Sequence, residues 1–257
     1  MACMISTSAG VLVVDLFTTE APVACRNFLK LCKVKYYHGC LFWNVQPNFI
    51  VQSGDPCGNG SGGRSIYGLC PDPNAAGLVS NAFKDEIGAR KINETGLVCM
   101  AHADGKQNAN KSQFFITLRA DGLEYLDGKH TIVGKVSEGI DVLQTINSLY
   151  CDGDGRPFQD VRILHTDVLE DPYEDPVGMG MLVPPSSPKG VYDDIPTYTP
   201  SEEKVRSRLA YEEDPTASSA LKDKEGNARS EGDLDESIRR KEAQSRAVRE
   251  YYQLGCV

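Results

Sequence analysis

Apolar rings, side-chain amides and an imidazole recur in three stretches of this chain: FWNVQPNFIVQSGDP from Phe42 to Pro56, KSQFFIT from Lys111 to Thr117, and YLDGKHTIVGKV from Tyr125 to Val136. Phe49, Ile50, Phe115 and Leu126 offer apolar surface, while Gln52, Gln113 and His130 offer hydrogen-bonding groups. Side chains of these types supply apolar contact and neutral hydrogen bonds, to a ligand or to the fold itself. The glycine-rich run GNGSGGRSIYG, Gly58 to Gly68, lacks the terminal Lys-Ser/Thr of a phosphate loop. Taken singly, a Phe, Gln or His in a β protein is usually an ordinary core or surface residue. His38 and His165 fit no pattern and read as structural or surface groups, and Trp43 reads as a core aromatic ahead of a binding one.

The elements that must position these residues are mostly strands. Val11 to Leu16, Phe49 to Gln52, Leu97 to Ala101, Phe114 to Leu118, Thr131 to Val136 and Val161 to Leu169 are short apolar or β-branched runs, mostly bounded by Gly, Asn, Asp or Pro. A helix is predicted from about Ala21-Pro22, with Pro22 suited to the first turn and Phe28, Leu31 and Cys32 on one stripe. A second is predicted from Glu138 to about Tyr150, with Ile140, Leu143, Ile146 and Leu149 at three-residue spacing. A barrel or sandwich of short strands capped by two helices follows from this pattern.

Length and charge bound the possibilities further. A chain of 257 residues accommodates one substantial domain with an appendage, and a composition shift near Pro172 favours that organisation. Net charge of -9 without an extended basic cluster argues against direct binding of nucleic acid by this chain. Nine cysteines without a C-x-x-C pair fit reduced thiols better than a disulfide framework or a metal site. No signal-like segment and no run near 18 apolar residues is present, so a soluble intracellular protein without membrane association is expected.

After Pro172 the prolines Pro176, Pro184, Pro185, Pro188, Pro196 and Pro200 fall among Gly, Ser and Asp, too polar a stretch to build its own core. The division expected is a domain over 1–172, an extended linker over 173–229 and a charged helical segment over 230–257. Ser230 is the candidate N-cap of that last helix; its patchy apolar face, Leu234, Ile238, Val248 and Tyr252, either docks on a partner or stays solvated, the solvated state being preferred.

Across the span from Phe49 to His130, the order and spacing of Phe49, Gln52, Ala101, Gln113, Phe115, Leu126 and His130 resemble the proline-binding groove of the cyclophilins. The resemblance implies a mainly β fold, an eight-stranded antiparallel barrel capped by two α-helices with an extended, partly helical C-terminal tail. It also implies peptidyl-prolyl cis-trans isomerisation without a cofactor, acting on proline-containing peptides or proteins as a monomer. The reaction rotates a partial double bond whose barrier is about 18 to 20 kcal/mol. A dry pocket for the ring and a donor aimed at the prolyl nitrogen lower that barrier.

By the same resemblance, Phe49, Ile50, Phe115 and Leu126 form the proline pocket, with Ile50 at the family's methionine position, His130 at the rim and Gln52 holding the substrate backbone or carbonyl. Ala101, His102, Ala103 and Gln113 correspond to the positions that receive the peptide, His102 replacing an asparagine. Gly60 corresponds to the glycine that leaves room for the residues before proline. Tyr125 stands where the family's tryptophan assists cyclosporin, so weak binding of that drug at best is expected. Asn44 occupies the position of the catalytic arginine. Asparagine is shorter and neutral, and a charge-assisted bond is roughly twice as strong as a neutral one, so feeble turnover is expected.

Asn44-Val45-Gln46, the stretch DGDGRPFQDVRILHTDVLEDPYEDP from Asp152 to Pro176 and the charged tail are similar to the isomerase-like 4 group of this family, nuclear proteins in which an RNA-recognition motif follows the tail. Phe83 to Ala101, FKDEIGARKINETGLVCMA, is similar to spliceosomal cyclophilins as well. No RNP-type aromatic strand occurs before Val257. Two functional classes stay open on this basis: an isomerase with low or absent turnover, and a noncatalytic module recruiting a proline-containing partner, such as a spliceosomal protein, to a nuclear RNA-processing assembly. Two longer loops, Leu69 to Ala82 and Asp104 to Asn110, are candidates for bordering the groove.

Overall fold

Residues 110–117, NKSQFFIT, show how the sheet is made. Alternate side chains point to opposite faces of a strand, and here Phe114 and Ile116 enter one apolar cluster while Phe115 enters another. In the computed structural model, which describes residues 1–70, 81–102 and 105–186, this strand belongs to a single antiparallel sheet of eight. In chain order the strands are β1 Ala2–Thr7, β2 Gly10–Leu16, β3 Asn44–Gln46, β4 Ile50–Ser53, β5 Leu97–His102, β6 Asn110–Thr117, β7 Ile132–Glu138 and β8 Ile163–Val168. Their spatial order is β3-β4-β6-β5-β7-β2-β1-β8. The sheet curls so that its two end strands approach: Phe42 N–H donates to Val161 O at 2.9 Å and Ile163 N–H to Cys40 O at 2.9 Å.

The inner face carries the main core, with Leu12, Val14, Val51, Val98, Phe114, Ile116 and Val133 all fully buried. Phe28, Tyr37 and Phe114 pack with ring centroids 5.3 to 5.5 Å apart. Edge-on and tilted geometry of this kind suits the ring quadrupoles. Six strands match the expected runs to within a few residues. β1 and β3 were not anticipated: β1 mixes Ser and Thr with its apolar residues, and β3 is only three residues long, too short to show alternation.

Helix α1, Pro22–Lys33, starts with proline in its first turn as expected, but the residue before it provides no side-chain cap. The orphan N–H groups that every helix N-terminus leaves are met from elsewhere. Glu86 accepts from Val23 N–H at 3.1 Å and from Ala24 N–H at 2.8 Å, setting a carboxylate at the positive end of the helix dipole. A single turn, α2, spans Ile66–Leu69, and α3 spans Ile140–Asn147 with Val142, Leu143 and Ile146 buried. α3 stops short of the expected Tyr150. It begins after Gly139, whose φ of +94° and 2.3 Å clearance from a would-be Cβ to Val11 O leave no room for another residue.

Past residue 172 the described chain continues in contact with this body. Met179 is fully buried, and Tyr173 and Val183 pack against the main core. The fastening is ionic: Lys30 of α1, fully buried, donates to Asp171 at 2.7 Å, to Tyr173 O at 2.5 Å and to Asp175 at 2.6 Å. Three acceptors match the three protons of an ammonium group. The helical segment expected over 230–257 lies outside the described residues.

Lys30→Met keeps much of the packing volume but leaves this acceptor cage without its cation. Urea denaturation is expected to show a loss on the order of 3 kcal/mol, with earlier proteolysis of residues 173–183. Hydrogen bonds from Lys30 and Lys33 hold the half-exposed Asp175 carboxyl below the usual range. A depressed carboxylate stabilises above its unfolded pKa, so the clamp should persist at neutral pH and fail as pH falls below about 4.

Candidate functional site

The opposite face of strands β4, β5 and β6 forms the floor of a groove. Register places Asn44 opposite Gln52, Gln52 opposite Phe115 and Phe115 opposite Cys99, so one row of side chains crosses three strand boundaries on a single face. A second apolar cluster, Ile50, Ile92, Leu97, Cys99, Ala101, Phe115, Leu123 and Ile132, fills this side, with Phe49 and Leu126 packed on it. Above it opens a groove of about 380 Å³ bordered by Phe49, Ile50, Gln52, Ala101, His102, Phe115, Leu126 and His130. Eight of the expected site residues are thus gathered from β4, β5, β6 and the loops before β4 and β7, while Asn44, Gly60, Gln113 and Tyr125 lie outside the groove lining. Tyr125, 54% exposed, stacks on Phe49 at 6.1 Å and 25°. Ala103 lies outside the described residues.

The polar side of the groove is a directed chain of amides. Gln46 Nε2 donates to Asn44 Oδ1 at 3.2 Å, Asn44 Nδ2 to Gln52 Oε1 at 3.3 Å, and Gln52 Nε2 to Gln113 Oε1 at 3.0 Å. Gln113 Nε2 then donates to Gly60 O at 2.9 Å and Gly62 O at 2.8 Å. Both protons of Gln113 are therefore spent on the glycine-rich loop, whereas Gln52 and Asn44 each have one N–H beyond the chain. Successive bonds of this kind polarise one another in the same sense.

The loop itself is drawn around Asp55, fully buried, which accepts from Cys57 N–H at 2.9 Å, Asn59 N–H at 3.1 Å and Gly60 N–H at 2.6 Å. Gly60 has φ of +84°, and a Cβ there would meet the Trp43 ring at 2.8 Å. Trp43 accordingly sits half-buried beneath the loop. His38 and His165 pack against each other at 5.6 Å on another part of the fold.

On the far wall, His130 Nδ1 lies 3.1 Å from Met100 O, which can only accept, so that nitrogen carries a proton. Phe115 meets the ring edge-on at 5.1 Å and His102 stacks on it at 4.6 Å and 24°. Burial first, then the neighbouring His102, push His130 below the usual histidine range. Lys129, Gln107 and Gly105 also border the groove, and Gln46, Asp55 and Asp85 support it. Gly105 and Gln107 belong to the Asp104 to Asn110 loop that the sequence offered as a border of the groove, whereas Lys129, Gln46, Asp55 and Asp85 were not among the expected site residues.

The chain is similar to proteins of one known family. The family model described as cyclophilin type peptidyl-prolyl cis-trans isomerase matches residues 2–168. Curated relatives include peptidyl-prolyl cis-trans isomerase CYP59 of Arabidopsis thaliana, 48% identical over 185 residues, covering 72% of this chain and 35% of that protein. Human peptidyl-prolyl cis-trans isomerase-like 4 is 44% identical over 189 residues, covering 74% of this chain and 37% of its own length. The chain thus spans little more than a third of the length of these relatives. A Cryptosporidium parvum cyclophilin type isomerase, solved in the presence of the dipeptide Ala-Pro, superposes with a TM-score of 0.59 at 34% identity, covering 66% of this chain and 100% of its own.

Gln113→Ala removes the link between the groove floor and the loop and strands two carbonyls. A stability loss of about 1 to 2 kcal/mol is expected, with faster amide hydrogen exchange confined to residues 58–63.

Proposed function

This chain belongs to the cyclophilin-type peptidyl-prolyl cis-trans isomerase family, and on that premise we propose that its groove grips a proline ring firmly while turning the prolyl bond over only feebly. Phe49, Ile50, Phe115 and Leu126 would hold the ring, His130 would wall it, and Gln52 would anchor the adjoining backbone. Gly60, Ala101, His102, Ala103 and Gln113 would receive the residues before proline, and Tyr125 would flank the groove. The observation that carries this is Asn44, set on β3 at the groove's edge with its amide already engaged to Gln46 and Gln52.

As a prolyl bond twists, its nitrogen loses amide resonance and becomes an acceptor, and a donor aimed at it stabilises the transition state. A charged guanidinium brings several donors on a long stem. Asn44 brings one neutral N–H beyond its bond to Gln52, on a short stem. Loss of one preorganised donor costs on the order of 10² to 10³ in rate in other enzymes. Gripping the ring depends instead on apolar burial, which Asn44 leaves intact.

A second reading is favoured by the same residue. A groove that binds but barely turns over is a reader of proline-containing segments, and the resemblance to the isomerase-like 4 group supports placing that reader in a nuclear, spliceosome-type RNA-processing assembly. The proposed organisation is a groove-bearing domain whose body runs past residue 172, with Tyr173, Asp175, Met179 and Val183 fastened to it, followed by linker and charged helix.

Two-dimensional exchange NMR on an Ala-Pro peptide, with substoichiometric protein, separates binding from turnover. Binding shifts with cis/trans exchange close to the uncatalysed rate are expected, and Asn44→Arg should raise exchange by about tenfold or more. Fast exchange in the unaltered protein, unchanged by Asn44→Arg, would overturn the assignment. Tyr125→Trp should tighten cyclosporin binding measured by calorimetry, since it returns an indole N–H donor to the groove edge.

A further inference from the structure

Behind the His130 wall stands a second ring with its own anchor. His102 Nε2 lies 2.8 Å from Asp85 Oδ1, and both side chains are more than nine-tenths buried. Asp85 in turn accepts from Asn108 N–H at 2.9 Å and Asn110 Nδ2 at 2.7 Å. The carboxylate therefore cannot follow the imidazole if that ring swings. We infer that Asp85 and His102 are a positioning pair for His130, fixing the plane of its ring and so the wall against which a substrate proline packs. This rests on the groove function proposed above.

The geometry is a sandwich closed on three sides. Met100 O holds one nitrogen of His130, Phe115 meets the ring edge-on, and His102 covers one face. A single hydrogen bond leaves a ring free to rock about it, and a stacked neighbour removes that freedom. An asparagine at 102, the residue the family resemblance leads one to expect there, has no ring to stack. His102 thus adds a layer to the groove wall in this chain.

Charge acts through the same contact. His130 faces His102 and Asp85 on one side, and shares a small cavity with Glu20, Glu86 and Arg90, with Lys129 next to it in sequence. Burial and the neighbouring His102 both disfavour the imidazolium, against smaller upward pulls from Met100 O and Asp85. The wall accordingly stays uncharged at neutral pH, as packing against an aliphatic ring requires. Taking away His102 removes a neighbour that disfavours the imidazolium and part of the burial together, and both changes move the His130 midpoint to higher pH.

The test is an NMR titration of the His130 ring protons from about pH 5 to 8 in the unaltered chain, in His102→Asn and in His102→Phe, with Ala-Pro peptide binding measured alongside. His102→Asn is expected to raise the His130 midpoint and weaken the peptide by about two- to tenfold, the worth of an aromatic pair. His102→Phe, which keeps a ring in place, is expected to raise the midpoint yet retain most of the affinity. An unmoved midpoint in both variants would overturn the positioning role. If the unaltered chain binds no peptide at any pH, the groove function fails instead, while the titration still decides whether His102 positions His130. Should His102→Asn not fold, His102→Phe carries the titration alone.

Discussion

A strand in this sheet has two faces and no spare one, and strands β4, β5 and β6 must satisfy a buried core on one side and a ligand groove on the other. Phe114 and Phe115 are neighbours in sequence and serve opposite sides. A shift of register by a single residue would exchange them, emptying the core and the groove floor together. The position of the candidate site is therefore fixed by the same packing that stabilises the fold. This is why Asn44 and Gln52, on neighbouring strands, align with Phe115 on a strand some sixty positions later.

On that floor the polar groups are arranged by mutual need. A half-buried amide with unmet donors and acceptors is costly, and Gln46, Asn44, Gln52, Gln113 and the carbonyls of Gly60 and Gly62 meet one another's requirements in sequence. Substituting a neutral amide for a guanidinium alters more than one donor. It allows the strand edge to join a chain of like groups that ends in the glycine-rich loop, so loop position and strand-edge chemistry are linked through four side chains.

Much of this was legible in the sequence because period-two alternation and the order of Phe49, Gln52, Gln113, Phe115, Leu126 and His130 depend on local chemistry and spacing. What stayed hidden depends on distance through space. Glu86 caps a helix more than sixty positions earlier, and Lys30 is buried by carboxylates more than one hundred and forty positions later. A lysine on a helix reads as a solvated charge until its partners are known. Asp85 gave no local sign that its carboxylate would hold a histidine on β5, and β3 is too short to show a pattern. The amide chain likewise needed the register of two strand pairs before its members could be neighbours.

Phe83 to Glu86 follow the long stretch Leu69 to Ala82, and every anchor they make leads back into the folded body. Phe83 bridges Asn110, Asp85 meets His102 and Asn110, and Glu86 holds the start of α1 while its N–H meets Thr131 Oγ1 at 2.8 Å. Three residues of four pinned this way act as a strain relief, like the clamp where a cable enters a housing. Sequence upstream of them can lengthen or diverge while these anchors keep the groove wall and the helix in place, so variety there costs the fold little.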